Sequence, residues 1–425
     1  MHAPLALTLP RCLTSIGAMP VPDGHSQASR VACRQDPEAV RHHHDSRVQP
    51  STTTSRVIPV ASRRDLERFI RLPERLYRGN RNWVAPLRIE RRRFLDPRTN
   101  PFFEHADVRL FLAVAPDGEV RGRIAAIVNH AHLAQHHDAV GFFGLFECEN
   151  DADVANALLQ AAAAFLRGHG MERMRGPANM SVNDELGLLI EGFDLPPAVM
   201  MPYNPPHYRE LLEGFGCRPV MTLFAYSAED QDGQIPERLA RGVELAKRRY
   251  RCFVRGIDMR RLPDEARALL GVYDAAWSDN WGAVPLTPRE VDHLVQTLRL
   301  VGDPDLCLLA EVEGRVVGFA LTLPDLNQAF SRLDGTLFPF GLFKFLWHRR
   351  KIDGARMMAM GVMREYRQMG VDVCLYHETV ARGLAKGYRR LEMSWILANN
   401  DAMNLVLQKV GARISKTYRV YDYPI

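Results

Sequence analysis

Nine residues near the end of the chain, REYRQMGVD at 364–372 and ending in RQMGVD at 367–372, separate an apolar run, ARMMAMGVM, from a helical one, VCLYHETVARGLAKG. A strand that turns through an arginine and a glycine into a helix is an anion cradle. The first-turn N–H groups point outward without partners, and the helix dipole favours negative charge there. Arg367 and Gly370 stand where a pyrophosphate needs a guanidinium and a close backbone approach. An earlier stretch of similar pattern, GFFGLFECENDADVANALLQAAAAFLRGHG, instead carries Glu147, Glu149, Asp151 and Asp153 in the turn before its helix. Carboxylates in that place repel a pyrophosphate. The histidines of NHAHLAQHH (His130, His132, His136, His137) have no carboxylate at tight ligand spacing, so they read as a solvated loop and no metal is expected. A polar stretch, GPANMSVNDELGLLIEGF, with Asn179, Ser181, Asn183 and Glu185, reads either as the lining of a shared cleft or as a surface loop.

A repeated unit has to position these groups. Residues 108–128, VRLFLAVAPDGEVRGRIAAIV, and 306–321, LCLLAEVEGRVVGFAL, each read as a strand, a tight D-G or E-G turn, and a second strand opening V-x-G. Gly122 and Gly318 lie 196 residues apart. Upstream of the hairpins come NWVAPL at 82–87 and NWGAVPL at 280–286, and upstream of those, short strands around Val57 and Val254. A period this long fits two copies of a domain, not a solenoid. The copies are expected over residues 56–230 and 231–425, joined through the polar SAEDQDGQI at 227–235. Each copy reads as an α/β (α+β) arrangement, a mixed sheet flanked by helices. Residues 1–55, with Pro, Ser, Thr, Gln and a His triplet but no sustained period, read as a disordered leader.

Composition narrows the function classes. Lys plus Arg number 55 against 50 Asp plus Glu in 425 residues, a net charge of +5 that is too small to mark a nucleic-acid binder. No run of 18 uncharged apolar residues offers a transmembrane helix. Seven scattered cysteines with no C-x-x-C exclude a disulfide scaffold or a cysteine zinc site and fit a reducing cytosol.

RQMGVD resembles the signature Q/R-x-x-G-x-G/A of the GCN5-related N-acetyltransferase family, which binds the pyrophosphate of coenzyme A between strand 4 and helix 3. Beyond it, LEMSWIL at 391–397 reads as a strand. Residues 400–412, NDAMNLVLQKVGA, resemble the family's N-x-x-A-x-x-L-Y-x-x-x-G-F, with Asn400 to cap the last helix and Gly411 to end it. Two departures from the family bear on the chemistry. Asp372 stands where the family prefers Gly or Ala, and Leu407 where it has the tyrosine that often protonates the leaving thiolate.

The resemblance implies two tandem acyl-CoA acyltransferase domains, the first degenerate and the second binding acyl-CoA between splayed strands. It implies coenzyme A contacts at Met360, Val362, Arg367, Gln368, Met369, Gly370, Val371 and Asn400, and direct attack by an amine on the thioester with no metal. Glu392 and Ser394 share one face of strand 5 by the period of two. Glu392 is the candidate base; the alternative is a strand-edge carboxylate paired with Arg389 or Arg390. Tyr418 and Tyr421 are candidates for the missing acid, or else core or edge aromatics. Asp325 and Asn327, in LTLPDLNQAF, are candidate substrate contacts, or else a turn that ends the strand.

The second copy also carries about thirty extra residues, near 325–354. Within them Leu337, Phe338, Phe340, Leu342, Phe343, Phe345, Leu346 and Trp347 precede His348, Arg349, Arg350 and Lys351. This is the composition of an interfacial segment or greasy lid, giving peripheral membrane contact through 337–351, and equally of an internal helix packed between the domains. The layout and phrases such as GFFGLFE, MPYNPPHY and LPDLNQAF are also similar to the bacterial ceramide synthases, which implies a long-chain, sphingoid-like amine. The expected function is an acyl-CoA-dependent N-acyltransferase, cytoplasmic or peripheral on the inner membrane face. Two alternatives stand beside it. One is an aminoacyl-tRNA-dependent transferase, which also uses tandem copies of this fold. The other is a non-catalytic acyl-CoA-binding protein, suggested by Asp372 and Leu407.

Overall fold

The computed structural model describes residues 55–229, 237–277 and 280–425. The expected leader, up to residue 54, and most of the expected join lie outside the described residues. The first copy opens with β1 (Arg56–Pro59), α1 (Arg63–Leu76), α2 (Arg88–Phe94), β2 (Ala106–Val114), β3 (Val120–Asn129) and α3 (His130–His136). It continues through β4 (Val140–Cys148), α4 (Ala152–Gly168), β5 (Arg173–Gly176), β6 (Ala178–Asn179), β7 (Glu185–Leu186), β8 (Leu188–Glu191), α5 (Tyr208–Phe215) and β9 (Arg218–Glu229). The second copy begins with α6 (Glu237–Tyr250), β10 (Cys252–Gly256), α7 (Leu262–Trp277), α8 (Pro288–Val301), β11 (Cys307–Val312) and β12 (Arg315–Pro324). After α9 (Asn327–Phe330) and α10 (Gly341–Arg349) come β13 (Gly354–Val362), α11 (Val371–Ala385), β14 (Arg390–Leu397), α12 (Asp401–Lys409) and β15 (Arg413–Pro424).

The expected hairpins form as β2–β3 and β11–β12. Their shared V-x-G has a packing cause. A Cβ on Gly122 would meet Leu158 at 2.6 Å and Val154 at 3.2 Å, both on α4. One on Gly318 would meet Val371 at 2.9 Å and Leu375 at 3.2 Å, both on α11. In each copy a helix crosses the second hairpin strand at its glycine, so close that a Cβ there would force the helix side chains to shift.

One sheet of 13 strands runs through both copies, in the order β1-β2-β3-β4-β5-β15-β9-β14-β13-β12-β11-β10, with β8 pairing β15 off this path. From either end, the order is five strands of one copy and then the crossed pair at the middle. β9 ends the first copy, yet both its neighbours, β14 and β15, belong to the second. β15 ends the second copy, yet it pairs with β5, β8 and β9 of the first. The cores cross over as well. Trp395, Leu397, Tyr418 and Val420 pack into a cluster with Leu145, Leu189 and Leu223, while Leu87, Val199 and Met200 pack among Leu262, Trp277 and Phe330.

All pairings in this sheet are antiparallel except β4–β5 and β13–β14. Each parallel pair is joined only at its start: Val140–Phe142 with Arg173–Arg175, and Gly354–Met357 with Arg390–Met393. Beyond those residues the strands part, so each copy contains a V-shaped opening.

Residues 55–229 made alone leave β9 without either neighbour, and an unpaired strand of that length invites aggregation. This fragment should elute as aggregate in size-exclusion chromatography, and co-production with residues 237–425 should restore a soluble complex. A monomeric fragment with one cooperative unfolding transition would contradict the crossing.

Candidate functional site

The two corresponding helix starts differ in what satisfies their amides. At α4, the Asp151 carboxylate accepts from the N–H groups of Asp153 (2.9 Å) and Val154 (3.2 Å), so the chain's own anion fills the place. At α11, the residue before the helix is Gly370, in the left-handed region at φ +74°, and no side chain caps the first turn. Gln368 is also left-handed, at φ +71°. Arg367 is half-buried, and its guanidinium donates to the carbonyls of Val362 (3.3 Å) and Ala276 (3.0 Å), which ties the turn to the end of β13 and to α7. Val371 is buried beneath the turn against Gly318. Met360 and Val362 lie buried on β13 beyond Met357, where its edge toward β14 has no strand partner. Asn400 caps α12 by accepting from the Met403 amide (3.2 Å), and Leu407 is fully buried in the core.

Where β13 and β14 part, charged groups meet in the interior. Arg356 is fully buried and donates to Ser394 Oγ (2.9 Å), the Ser394 carbonyl (3.0 Å) and the Val199 carbonyl (2.8 Å). Ser394 Oγ donates to Glu392 Oε1 (2.8 Å), and Lys416 Nζ donates to Glu392 Oε2 (2.9 Å). Glu392 is thus paired with Lys416, and Arg390 pairs with Asp353. The Tyr418 hydroxyl is buried without a hydrogen-bond partner, and burial holds its pKa well above the usual range, with Glu392 adding and Arg356 opposing. Tyr421 is also buried and donates to Glu213 (3.0 Å). Burial lowers Arg356 to about 10, against the carboxylates that raise it.

Asp325 and Asn327 belong to the same region but reach into the first copy. Asp325 Oδ1 accepts from the Val199 amide (2.8 Å), and the Asn327 side-chain amide donates to the carbonyls of Pro197 (2.9 Å) and Ala198 (3.0 Å). The structure therefore brings Glu392, Ser394, Tyr418, Asp325 and Asn327 together at the seam of the copies. It also adds Arg356 and Lys416, which sequence reasoning missed. A single arginine inside the apolar strand GARMMAMGV was the available signal, since a charge there must find a buried partner.

The V of the first copy holds a cavity of about 160 Å³. Its lining includes Leu145, Glu147, Asn179 and Glu185, the 83–88 segment, and Met200, Met201, Asn327 and Phe330. Asn179 and Glu185 thus line a cleft shared by the copies, one of the two readings of their segment. Asn179 donates to Glu185 (2.6 Å). Glu147 does not sit in the turn, as its spacing suggested, but on β4, because the strand runs to Cys148. Its Oε2 accepts from the hydroxyls of Tyr77 and Tyr208, each at 2.9 Å. Burial raises the Glu147 pKa, opposed by Arg123.

The expected histidine loop is the helix α3, started by Asn129, whose side chain accepts from the Ala131 and His132 amides. His132 is buried edge-on against Phe142 and paired with Asp138, and burial lowers its pKa to about 4. Among the described residues, no group of three or more His, Cys, Asp or Glu converges as a metal site requires.

Asp325 yields a pH prediction. Burial, with Glu392 nearby, pushes it up to about 6 from its ordinary 3.8. Between those values the folded protein holds a proton that the unfolded chain has released, so stability falls as pH rises through the window. Asp325→Asn keeps an acceptor for the Val199 amide and removes the charge. It should flatten that part of the profile and raise stability above pH 7 by up to about 3 kcal/mol. Urea unfolding of both proteins from pH 4 to 8 checks this; parallel profiles would contradict it.

No family model matches the chain. The bacterial ceramide synthase of Caulobacter vibrioides (strain NA1000 / CB15N) is 39% identical over 378 residues, covering 86% of this chain and 96% of that protein. Protein YghO of Escherichia coli (strain K12) is 34% identical over 374 residues, 86% of this chain and 94% of that one. A tandem GNAT protein from the clavulanic acid biosynthesis pathway, solved without AcCoA, matches 87% of this chain and 98% of its own with a TM-score of 0.51. At 14% identity that likeness speaks for the fold. This chain belongs to the bacterial ceramide synthase family and is an acyltransferase built as two GCN5-related N-acetyltransferase folds in tandem.

Proposed function

We propose that the chain transfers an acyl group from coenzyme A to the nitrogen of a long-chain amine, with the thioester held by the second copy. The observation that carries this reading is the contrast between the helix starts. The α4 amides are taken by Asp151, whereas α11 opens on Gly370 with no side-chain cap, beside the partnerless edge of β13. Arg367, Gln368, Met369, Gly370 and Val371 would hold the pyrophosphate, and Met360 and Val362 the pantetheine arm, with Asn400 shaping the neighbouring helix start. Acyl-CoA supplies the activated carbonyl. Glu392, paired with Lys416, is positioned to accept the amine proton through Ser394 or a water. The partnerless Tyr418 hydroxyl is the proton donor available to the leaving sulfur in place of the tyrosine absent at Leu407. Asp325 and Asn327 position the Pro197–Val199 backbone that walls the acceptor side. The name of the Caulobacter relative, a ceramide synthase, supports the choice of a long-chain amine.

Arg367→Glu replaces an attractive contact with repulsion. Calorimetry should show coenzyme A affinity reduced by at least about tenfold, equivalent to 1.4 kcal/mol, and the thermal midpoint should fall as well, because the bonds from Arg367 to the Val362 and Ala276 carbonyls are lost. Unchanged affinity would remove the thioester from this copy.

The same reading extends to a membrane surface in the cytosol; no described helix is long and apolar enough to cross a membrane. Helix α10 is anchored by Phe345, which is buried and stacked on Phe330 at 5.3 Å. Phe338, Phe340, Phe343, Leu346 and Trp347 remain 50–72% exposed on this short segment. Lys344, Arg349, Arg350 and Lys351 are exposed beside them. Such a patch exceeds the scattered apolar residues of an ordinary surface, and each cation near anionic lipid contributes about 1 kcal/mol. The chain should sediment with anionic vesicles at low salt and leave them at high salt. Replacing Phe343 and Trp347 by Ser should weaken sedimentation and slow long-chain acyl transfer more than acetyl transfer. No vesicle binding by the unmodified chain would end the membrane reading.

A further inference from the structure

The opening between β4 and β5 repeats the opening between β13 and β14, but its chemistry is reversed. At its anion end the Asp151 carboxylate already occupies the first turn of α4. On its floor lies Glu147, with 13% of its side chain exposed. Oε2 of Glu147 is satisfied by two tyrosine hydroxyls, whereas the nearest cation to Oε1, Arg123 Nη2, stands 3.6 Å away, beyond hydrogen-bond distance. Arg123 is held elsewhere, donating to the Phe69 carbonyl (2.6 Å) and lying over the Phe69 ring. Four carboxylates line the cavity, Glu74, Glu90, Glu147 and Glu185, against three guanidinium groups, Arg88, Arg91 and Arg123. With all seven groups ionised the balance is one negative charge, and the ligand that suits it is a cation, whose charge would oppose the burial that raises the Glu147 pKa.

Apart from Asn179, Asn204, Asn327 and the tyrosines, the remaining walls are apolar, and they lead toward the insertion. Phe330 lines the cavity and stacks on Phe345 of α10. The Gly335 carbonyl accepts from the Arg88 amide (3.0 Å), which fastens the insertion to the cavity rim. On the inner side, Met201 both lines the cavity and places its sulfur 3.3 Å from Ser394 Oγ. One residue thus separates the cavity from the Glu392 cluster of the second copy.

We propose that the cleft of the first copy binds the ammonium head of a long-chain amine, with Glu147 Oε1 as its anion and the chain directed along the apolar wall toward α10. The proposal rests on the acyl-transfer reading for why an amine is held. It also gives the degenerate copy a role, since that copy keeps the acceptor where its twin keeps the thioester.

Calorimetry of the full chain with n-octylammonium, n-octanol and n-octanoate, with no acyl-CoA present, tests this. Octylammonium should bind, octanol more weakly, and octanoate not at all. Glu147→Gln, which leaves acceptors for both tyrosines, should weaken octylammonium at least tenfold. Val84→Trp, which narrows the cleft without touching a carboxylate, should weaken it similarly and decides the matter if the first variant fails to fold. Absence of octylammonium binding, equal binding of octanol, or unchanged binding in the folded variants would overturn the proposal. Coenzyme A titrated into the same samples separates the two readings. Its failure to bind the unmodified chain overturns the thioester assignment, and failure of octylammonium alone overturns this one.

Discussion

The antiparallel pairing of β9 with β15 at the centre of the sheet is the constraint on which the other features rest. Because each of these strands finds both its neighbours in the opposite copy, the two V-shaped openings face a common seam and cannot drift apart. The residues that meet there come from four directions: Val199 and Met201 from the first copy, Asp325 and Asn327 after β12, Arg356 and Glu392 from the parallel pair, and Lys416 and Tyr418 from the crossed strand. Separate sheets joined by a flexible linker would not hold hydrogen bonds of 2.8–2.9 Å across so many elements.

Charge inside that seam is tolerated because it is matched. Arg356 directs its donors to two carbonyls and a hydroxyl, and Glu392 is shared by Ser394 and Lys416. Removing one partner from such a buried set costs about 3–5 kcal/mol, chiefly because the other charge is left unpaired. A fully satisfied network also fixes orientation, which a reaction between two bound molecules requires. Asp325 is the member left under tension, with Glu392 nearby and only backbone amides and its own turn to hold it.

Much of this was legible in the sequence where local rules act alone. The hairpins, the repeated glycines and the α11 turn follow from turn chemistry and from helix crossings that exclude a side chain. Tandem copies were legible for the same reason. The crossing of β9 and β15 was not, since a strand of given pattern fits its own copy or its twin equally well. Arg356 and Lys416 were passed over because their partners lie far away in the chain. Glu147 was misplaced by one structural step: carboxylates crowded along ECENDAD looked like one turn, but the strand continues through Cys148 and leaves Glu147 inside. The α10 segment admitted two readings because composition does not say which side of a helix finds a partner. Phe345 and Phe330 satisfy one side and leave the rest to solvent.

The crossed strands also bear on how the protein comes into being. During synthesis the first copy emerges whole, yet β9 has no neighbour until β14 appears, and β5 none on its inner side until β15, the last strand of the sheet to be made. Each pairing across the seam closes a loop of well over a hundred residues or joins elements made late, so contact order is high and closure is slow. For that interval the nascent chain presents open strand edges and the apolar faces that Trp395 and Tyr418 will later cover. A chain of this design depends on being shielded until its final strand is inserted, and its yield in the cell is governed by that waiting time as much as by the stability of the finished sheet.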